Sequence, residues 1–267
     1  MTDRLTGAAA LAARIPDGAS LALAPDYSGC AMAVVRELVR RGARDLRLLG
    51  VPQLGLQGDI LVGAGCVAVV EAAAVTLGEH GFAPCFLRAA QAGTIMVRDS
   101  TCPAIHAALT AAERGIPFMP LAGVIGSDLV ATRPDWRVID DPFGGVPVLA
   151  IPAQRPDFAL FHAETADSQG NIRIGVRREL MTMAHAARAT LVSVEEIVAE
   201  SLLAGDRAAG TIPSIYVDAV ASVPCGARPI ACGDRYAADQ PMLAAYAEAA
   251  ATEDGFRRFL DGWLAAA

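Results

Sequence analysis

Short apolar runs alternate along the chain with segments in which apolar residues recur at helical spacing. Residues 20–24 form an apolar run of strand length. In residues 32–41 the apolar positions fall on one helical face, arginine and glutamate fall on the other, and Gly42 closes the segment. A second apolar run at residues 46–49 completes a strand, helix and strand unit, which is typical of a parallel sheet.

The same pattern repeats to the C-terminus and predicts one architecture throughout. Further strands are predicted at residues 67–70, 94–97, 146–151, 158–161, 190–194 and 216–220. Helices are predicted at residues 5–14, 104–114, 178–188, 195–203, 241–251 and 254–264. We therefore predict an α/β protein with a mostly parallel sheet flanked by helices. Residues 132–147, rich in proline and glycine, are expected to mark a lobe boundary within a single domain over residues 1–267.

Composition excludes several classes of function. With 267 residues the chain is one large domain or two tightly joined halves. The net charge of −7 and the absence of a basic run argue against nucleic acid as a partner. All 22 basic residues are arginine, so chemistry that needs a lysine amine is excluded, including Schiff bases, a pyridoxal phosphate anchor and a P-loop lysine.

The apolar content does not predict a membrane protein. The least polar window, residues 60–77, contains Glu71 and glycines and indicates buried core. Asp3 and the lack of a basic flank argue against a secretory signal, so we expect a cytoplasmic protein. Six cysteines without a C-x-x-C pair favour reduced thiols over a disulfide framework.

Two motifs are too weak to carry a function. Residues 63–68 fit G-x-G-x-x-A, but the next residues favour a strand and no acidic residue follows at the expected distance, so a tight turn is the preferred interpretation. Cys102 and His106 lie four apart on a predicted helix and share a face. No second pair of ligands has metal-binding spacing, and we predict no metal site.

Two glycine-containing loops leave a choice open. Residues 122–128 follow an apolar stretch, and their backbone N–H groups could cradle an anion or form a plain turn. Residues 25–29 form a second loop between a strand and a helix. Because carboxyl-end loops of a parallel sheet gather at one edge, we expect both loops there, lining one cleft.

A series of short segments, in a fixed order from about residue 5 to the C-terminus, carries a family resemblance. They are Ile15-Pro16-Asp17-Gly18 and residues 41–46, 113–120, 126–129, 138–143, 156–163, 167–171, 193–198, 226–229 and 234–236. Together they resemble the alpha (A) subunit of the class I coenzyme A transferases, particularly the glutaconate type. The resemblance implies a NagB/RpiA-like fold.

The resemblance also implies a composite enzyme. In that family the alpha subunit pairs with a beta subunit, in a complex of two alpha and two beta chains, and the reactive glutamate belongs to the beta subunit. That glutamate forms a mixed anhydride and then a glutamyl-CoA thioester, so CoA moves from an acyl-CoA to a carboxylic acid. A coenzyme A thioester is then a substrate, and no permanently bound cofactor is expected.

No catalytic residue is therefore expected in this chain, only supporting ones. By resemblance, the loop with Gly123, Gly126 and Ser127 lines the site of the oxyanion, with Asp99 nearby. Substrate contacts are expected from Ser28, Gly29 and Asp128. The pair Glu195-Glu196 is interpreted as an acidic helix start in preference to a nucleophile.

Two alternatives remain open at the level of sequence. Some relatives of such subunits belong to hydrolases that open a ring in a CoA thioester, which makes a CoA-thioester hydrolase or ring-opening lyase subunit one alternative. The acidic residue expected for that chemistry appears here as Cys102, which argues against it. The other alternative is a non-catalytic domain that senses a small ligand, since one fold supports both roles.

Overall fold

Thirteen strands form two sheets in the computed structural model, which describes residues 2–5 and 7–265. The strands are β1 (Asp3–Leu5), β2 (Ser20–Leu23), β3 (Leu46–Gly50), β4 (Val67–Ala72), β5 (Met96–Asp99), β6 (Phe118–Leu121), β7 (Arg137–Ile139), β8 (Val148–Pro152), β9 (Phe158–Asp167), β10 (Ile172–Arg173), β11 (Ala189–Val198), β12 (Thr211–Ile212) and β13 (Ala219–Ser222).

Nine α-helices are present among the described residues. They are α1 (Gly7–Ala12), α2 (Met32–Arg40), α3 (Leu56–Gly63), α4 (Pro84–Ala92), α5 (Cys102–Glu113), α6 (Asp128–Thr132), α7 (Arg178–Ala186), α8 (Gln240–Ala249) and α9 (Glu253–Ala265). The helix predicted at residues 5–14 corresponds to α1, and its residue Thr6 lies outside the described residues. No described helix combines the length and apolar content needed to cross a bilayer.

The large sheet is mostly parallel, as predicted. Its strands run in the order β1-β13-β11-β9-β2-β3-β4-β5, and every neighbouring pair on this path is parallel. Short β10 and β12 add an antiparallel flap beside β9. The longest strands, β9 and β11, pair over most of their length, with His162 opposite Ser193.

Apolar residues on both faces of this sheet bury it between two layers of helices. On one face Leu21 and Leu48 pack with residues of α2, α3, α8 and α9. On the other face Ala22 and Phe161 pack with α5 and α7. Because both faces are covered, the strands are continuous apolar runs, which is the pattern that predicted them.

The small sheet corrects two predictions. It is antiparallel, in the order β6-β8-β7, and packs on α5 through Trp136, Leu149 and Ile151. The strand predicted at residues 146–151 therefore exists, but not in the parallel sheet. The expectation that loops 25–29 and 122–128 share one edge of a parallel sheet is wrong, since only the first follows a parallel strand. Residues 132–147 run within this small-sheet lobe and contain β7.

A third prediction fails at β11. The sequence pattern predicts a helix at residues 195–203, but β11 continues to Val198 and pairs with β9 as far as Asp167. The acidic pair Glu195-Glu196 therefore lies inside a strand, where it cannot cap a helix. Tertiary pairing with β9 overrides the local signal here.

Candidate active site

A cleft of about 520 Å³ opens at the carboxyl ends of the central parallel strands. Its walls come from the loop after β2, from β9, from the segment between β10 and α7, and from the segment after β13. The lining residues are Tyr27, Ser28, Gly29, His162, Ala163, Glu164, Arg173, Ile174, Gly175, Val176, Arg177, Leu180, Ala231, Cys232, Gly233 and Asp234. This edge is where ligands bind in open α/β sheets.

The first wall is the loop after β2, and it is tightly held. Gly29 has φ +94°, and a Cβ there would overlap the carbonyl oxygen of His162. Its own carbonyl accepts a hydrogen bond from the His162 N–H at 2.8 Å. Ser28 is buried and donates its hydroxyl hydrogen to Glu179 on α7. A glycine is required at position 29 because any side chain there would collide with the backbone of His162.

The same loop is anchored to α3. Both carboxylate oxygens of Asp26 accept from the Leu56 N–H, at 3.1 and 3.0 Å, at the start of that helix. An acidic group at this position complements the positive end of the helix. Burial nevertheless outweighs this hydrogen bond and raises the pKa of Asp26.

A polar network centred on the partly buried Glu195 lies next to the cleft and includes the buried His162 and Ser193. His162 Nε2 lies 2.7 Å from Glu195 Oε1, and His162 Nδ1 lies 2.8 Å from Ser193 Oγ. The Tyr236 hydroxyl donates to Glu195 Oε1 at 2.5 Å, and the Cys225 N–H donates to Oε2 at 2.7 Å. Both carboxylate oxygens are therefore occupied by donors.

These contacts determine which groups of the network carry a proton. Burial opposes ionisation of Glu195, but hydrogen bonds from His162, Tyr236 and the Cys225 N–H outweigh it and lower the pKa of Glu195 to about 2. An ionised carboxylate only accepts hydrogen bonds, so the His162 Nε2 carries a proton. Burial, followed by the bond to Glu195, raises the pKa of Tyr236 and keeps its hydroxyl a donor.

Potential metal ligands also meet at this network. Side-chain atoms of His162, Glu195 and Cys232 lie within 4.8 Å of one another. Both ring nitrogens of His162 already have partners in Ser193 and Glu195, so a metal ion would have to displace the bond between His162 and Glu195. The contacts between these side chains are therefore those of a hydrogen-bonded network.

The rim of the cleft carries charges of both signs. Arg173 and Arg177 line it together with Glu164 and Asp234. The Arg177 guanidinium sits 5.4 Å from the centre of the Tyr27 ring. The cleft therefore offers both cationic and anionic groups to a ligand.

The structure brings together only some of the predicted site residues. Ser28 and Gly29 line the cleft. Gly123, Gly126 and Ser127 lie in the exposed loop after β6, in the small-sheet lobe, and Asp128 is the first residue of α6. Asp99 is the last residue of β5 at the far edge of the large sheet, where its carbonyl accepts from Arg133.

That exposed loop has an unusual backbone. Gly123 and Gly126 have φ +133° and +89°, and Val124 between them has φ 64°. A β-branched residue rarely adopts a left-handed conformation. The N–H and the hydroxyl of Ser127 both donate to the Val124 carbonyl, at 3.0 and 2.7 Å, which closes the turn before α6.

Sequence analysis missed the network. Spacing along the chain leaves His162 isolated and places Glu195 at a helix start, whereas strand pairing sets His162 opposite Ser193, two residues before Glu195. The available signal was a histidine directly after the predicted strand at residues 158–161, followed by a further apolar residue. A buried histidine needs polar partners, and a neighbouring strand is the nearest source.

Comparisons with known proteins give a consistent result. The profile of the Coenzyme A transferase family matches residues 5–222. The alpha (A) subunit of glutaconate CoA-transferase from Acidaminococcus fermentans is 32% identical over 250 residues, covering 87% of this chain and 78% of that protein. The cholesterol ring-cleaving hydrolase IpdA subunit of Rhodococcus jostii is 32% identical over 254 residues, covering 87% of this chain and 82% of that protein.

Solved structures extend the likeness to the whole fold. The decarboxylase AibA/AibB superimposes with a TM-score of 0.87 and 34% identity, over 99% of this chain and 98% of that one. The chain spans about half, 52%, of the length of another relative, a protein of Archaeoglobus fulgidus to which it is 31% identical.

Proposed function

The chain belongs to the coenzyme A transferase family, and on that premise we propose that it is an alpha subunit whose partner beta subunit supplies the reactive glutamate. Relatives that are alpha subunits of two CoA-transferases support the assignment. The observation that carries it concerns Glu195, for which the sequence favours a helix start over a role as nucleophile. Hydrogen bonds occupy both of its oxygens, and its pKa of about 2 makes it a weak nucleophile.

The reaction that we propose moves CoA between two carboxylates. The partner's carboxylate attacks the thioester carbonyl, the C–S bond breaks, and the CoA thiolate leaves as a mixed anhydride forms. The thiolate then attacks the glutamyl carbonyl, which releases the first acid and leaves a glutamyl-CoA thioester. A second carboxylate reverses these steps. Each tetrahedral stage carries an oxyanion that fixed N–H donors stabilise.

This chain contributes binding and polarisation in that scheme. We assign substrate contacts to Ser28 and Gly29 in the cleft and to Asp128 at the start of α6. We assign support of the oxyanion to the loop with Gly123, Gly126 and Ser127, together with Asp99 at the end of β5. The left-handed backbone of Val124 supports a functional loop, since strained non-glycine backbone clusters at such sites.

The decisive experiment uses the chain co-expressed with its partner subunit. The complex is expected to release little CoA from an acyl-CoA until a carboxylic acid is added. Mass spectrometry of the complex given acyl-CoA alone is expected to find the covalent adduct on the partner. Turnover by this chain alone, or an adduct on its Glu195 or Glu164, would refute the proposal.

The same assay separates the alternatives. Steady release of CoA without an acceptor acid indicates a thioester hydrolase, as the IpdA relative is named. Release of CO2 with the thioester retained indicates a decarboxylase, as the AibA/AibB structure is described. Binding of acyl-CoA without turnover indicates a sensor domain.

We further propose a complex of two alpha and two beta chains in the cytoplasm.

The loop assignment has its own test. Ser127→Ala removes the hydroxyl that closes the turn, and Gly126→Val forces a branched side chain into φ +89°. Both variants are expected to lower kcat of the complex by at least tenfold while its assembly, measured by size-exclusion chromatography, is unchanged. Turnover at the level of the unmodified complex in both variants would place the oxyanion donors elsewhere.

A further inference from the structure

The segment after β13 forms one wall of the cleft without a helix or strand of its own. It supplies four lining residues, Ala231, Cys232, Gly233 and Asp234. Its backbone hydrogen bonds close several short turns, two of which contact Glu195. In the first, the Gly226 N–H donates to the Val223 carbonyl at 3.0 Å, and in the second, the Cys232 N–H donates to the Tyr236 carbonyl at 3.1 Å. Contacts to β11 hold these turns in place, beginning with the Val223 N–H, which donates to the Val194 carbonyl at 2.7 Å.

Both turns end on Glu195. In the first turn, the Cys225 N–H donates to Oε2 at 2.7 Å, and Cys225 adopts a left-handed φ of 58°. In the second turn, the Tyr236 hydroxyl donates to Oε1 at 2.5 Å. One carboxylate thus joins the two ends of residues 223–236 to β11, a strand in the interior of the sheet.

His162 orients that carboxylate. Its ring is fully buried between Ser193 and Glu195 and contacts both. The first turn closes directly over the ring, because a Cβ at Gly226 would lie 2.7 Å from His162 Cε1. A larger residue at 226 would push the turn away from the network. The glycine and the histidine therefore form one closely packed unit.

The second turn lies beside β9. A Cβ at Gly233 would meet the Glu164 carboxylate, the mobile end of a side chain on that strand, so the turn and Glu164 are in contact. The Tyr236 ring also packs against Arg228, whose guanidinium carbon lies 4.6 Å from the ring centre. Small movements of Tyr236 would displace Cys232, Gly233 and Asp234 together.

We propose that Glu195, oriented by His162, is a positioning residue that holds the wall formed by residues 223–236 in the conformation that receives the CoA thioester. It acts through Tyr236 and Cys225 and does not itself touch the substrate. The identity of the ligand rests on the proposed function, whereas the positioning of the wall rests on the contacts alone. Glu195 and His162 then act on the cleft through the wall that they hold in place.

The test compares two neighbouring glutamates on β11. Glu195→Gln weakens the acceptor for Tyr236 and Cys225, and Tyr236→Phe removes one of its donors while keeping the ring. Glu196→Gln is the comparison variant, because Glu196 is exposed and its carboxylate pairs with Arg235 of the same wall, so this variant removes a surface contact to the wall and leaves the contacts of Glu195 in place. All three are made in the complex with the partner subunit.

Exchange and affinity measurements distinguish positioning from general weakening. Hydrogen–deuterium exchange of the peptide covering residues 223–236 is expected to be faster in Glu195→Gln and Tyr236→Phe than in Glu196→Gln, which loses only a surface contact. The Kd of coenzyme A, measured by calorimetry, and the KM for the acyl-CoA are expected to rise about tenfold, with a smaller change in kcat.

These outcomes test the positioning role of Glu195 separately from the proposed function. Faster exchange and weaker CoA binding support the inference even if the unmodified complex has no transferase activity, in which case only the proposed reaction fails. Unchanged exchange, or unchanged affinity for CoA, overturns it. An equal effect of Glu196→Gln also overturns it. If Glu195→Gln does not fold, Tyr236→Phe decides by the same two measurements.

Discussion

Tyr246 and Asp59 lie 187 positions apart in the chain and meet in the core, where the Tyr246 hydroxyl donates to Asp59 Oδ2 at 2.6 Å. The same carboxylate accepts the N–H groups of Cys85 and Phe86, at 3.3 and 2.7 Å, at the start of α4. Asp59 therefore joins α3, α4 and α8. Burial outweighs these hydrogen bonds and raises the pKa of Asp59.

Removing the hydroxyl should weaken this junction. Tyr246→Phe is expected to lower the free energy of unfolding by about 2 kcal/mol, because a buried carboxylate loses a donor. Urea unfolding of the variant and the unmodified chain measures the difference. The control is Tyr216→Phe, since Tyr216 is exposed and its hydroxyl makes no described hydrogen bond. Equal losses in both variants would contradict the prediction.

Arg133 connects the small-sheet lobe to the large sheet. Its guanidinium lies 2.9 Å from Glu71 on β4, bonds Asp135 and the Asp99 carbonyl, and stacks on Trp136 at 4.4 Å. Arg133→Met should cost about 3 kcal/mol of unfolding free energy, because it leaves the buried Glu71 without its closest cation.

A second substitution checks the cause of that loss. Glu71→Gln added to Arg133→Met should restore part of the stability, since the uncompensated buried charge is gone. Arg137→Gln is the control, as Arg137 bonds backbone carbonyls at the surface. If the double variant is less stable than Arg133→Met, the loss of stability comes mainly from lost packing on Trp136 and not from the unpaired charge of Glu71.

Gly29 should tolerate no side chain. Gly29→Ala places a methyl group on the His162 carbonyl and is expected to cost more than about 2 kcal/mol or to displace the loop after β2. Gly93→Ala is the matched control, because Gly93 has φ +66° but open space around it, and its cost should be about 1 kcal/mol. Thermal unfolding measures both. Similar values would mean that backbone strain alone accounts for the effect.

Glu195 should also shape stability in acid. Its pKa is lowered from 4.5 to about 2 in the folded chain, so its contribution is present above pH 4.5 and is lost as the pH falls towards 2. Glu195→Gln should therefore be less stable than the unmodified chain at about pH 7, and the difference should shrink as the pH falls through that window. Chemical unfolding at each pH tests this, with Glu196→Gln as reference. A difference independent of pH would contradict it.

The sequence predicted the frame of the molecule better than its site. Strands such as β2 and β3 were located because burial on both faces makes them continuous apolar runs. The family resemblance was confirmed by the profile match over residues 5–222. The prediction for the segment after Val194 was wrong, because pairing of β11 with β9 extends the strand through two glutamates that locally favour a helix start.

The polar network stayed hidden for a related reason. His162, Glu195 and Tyr236 come from three distant segments, and only the order of strands in the sheet brings them together. Sequence spacing carries no information on that order. The antiparallel small sheet was missed because the apolar run of a single strand, such as β8, is the same whether its neighbouring strands are parallel or antiparallel.

Two walls of the cleft come from distant parts of the polypeptide, one beginning at Tyr27 and the other ending at Asp234. While the ribosome is still making the later wall, the emerging chain has an incomplete cleft. Because contacts so distant along the chain form late, the cleft is completed only when most of the chain has been made. Any product truncated before residue 236 should consequently be unable to compete with full-length subunits for ligand.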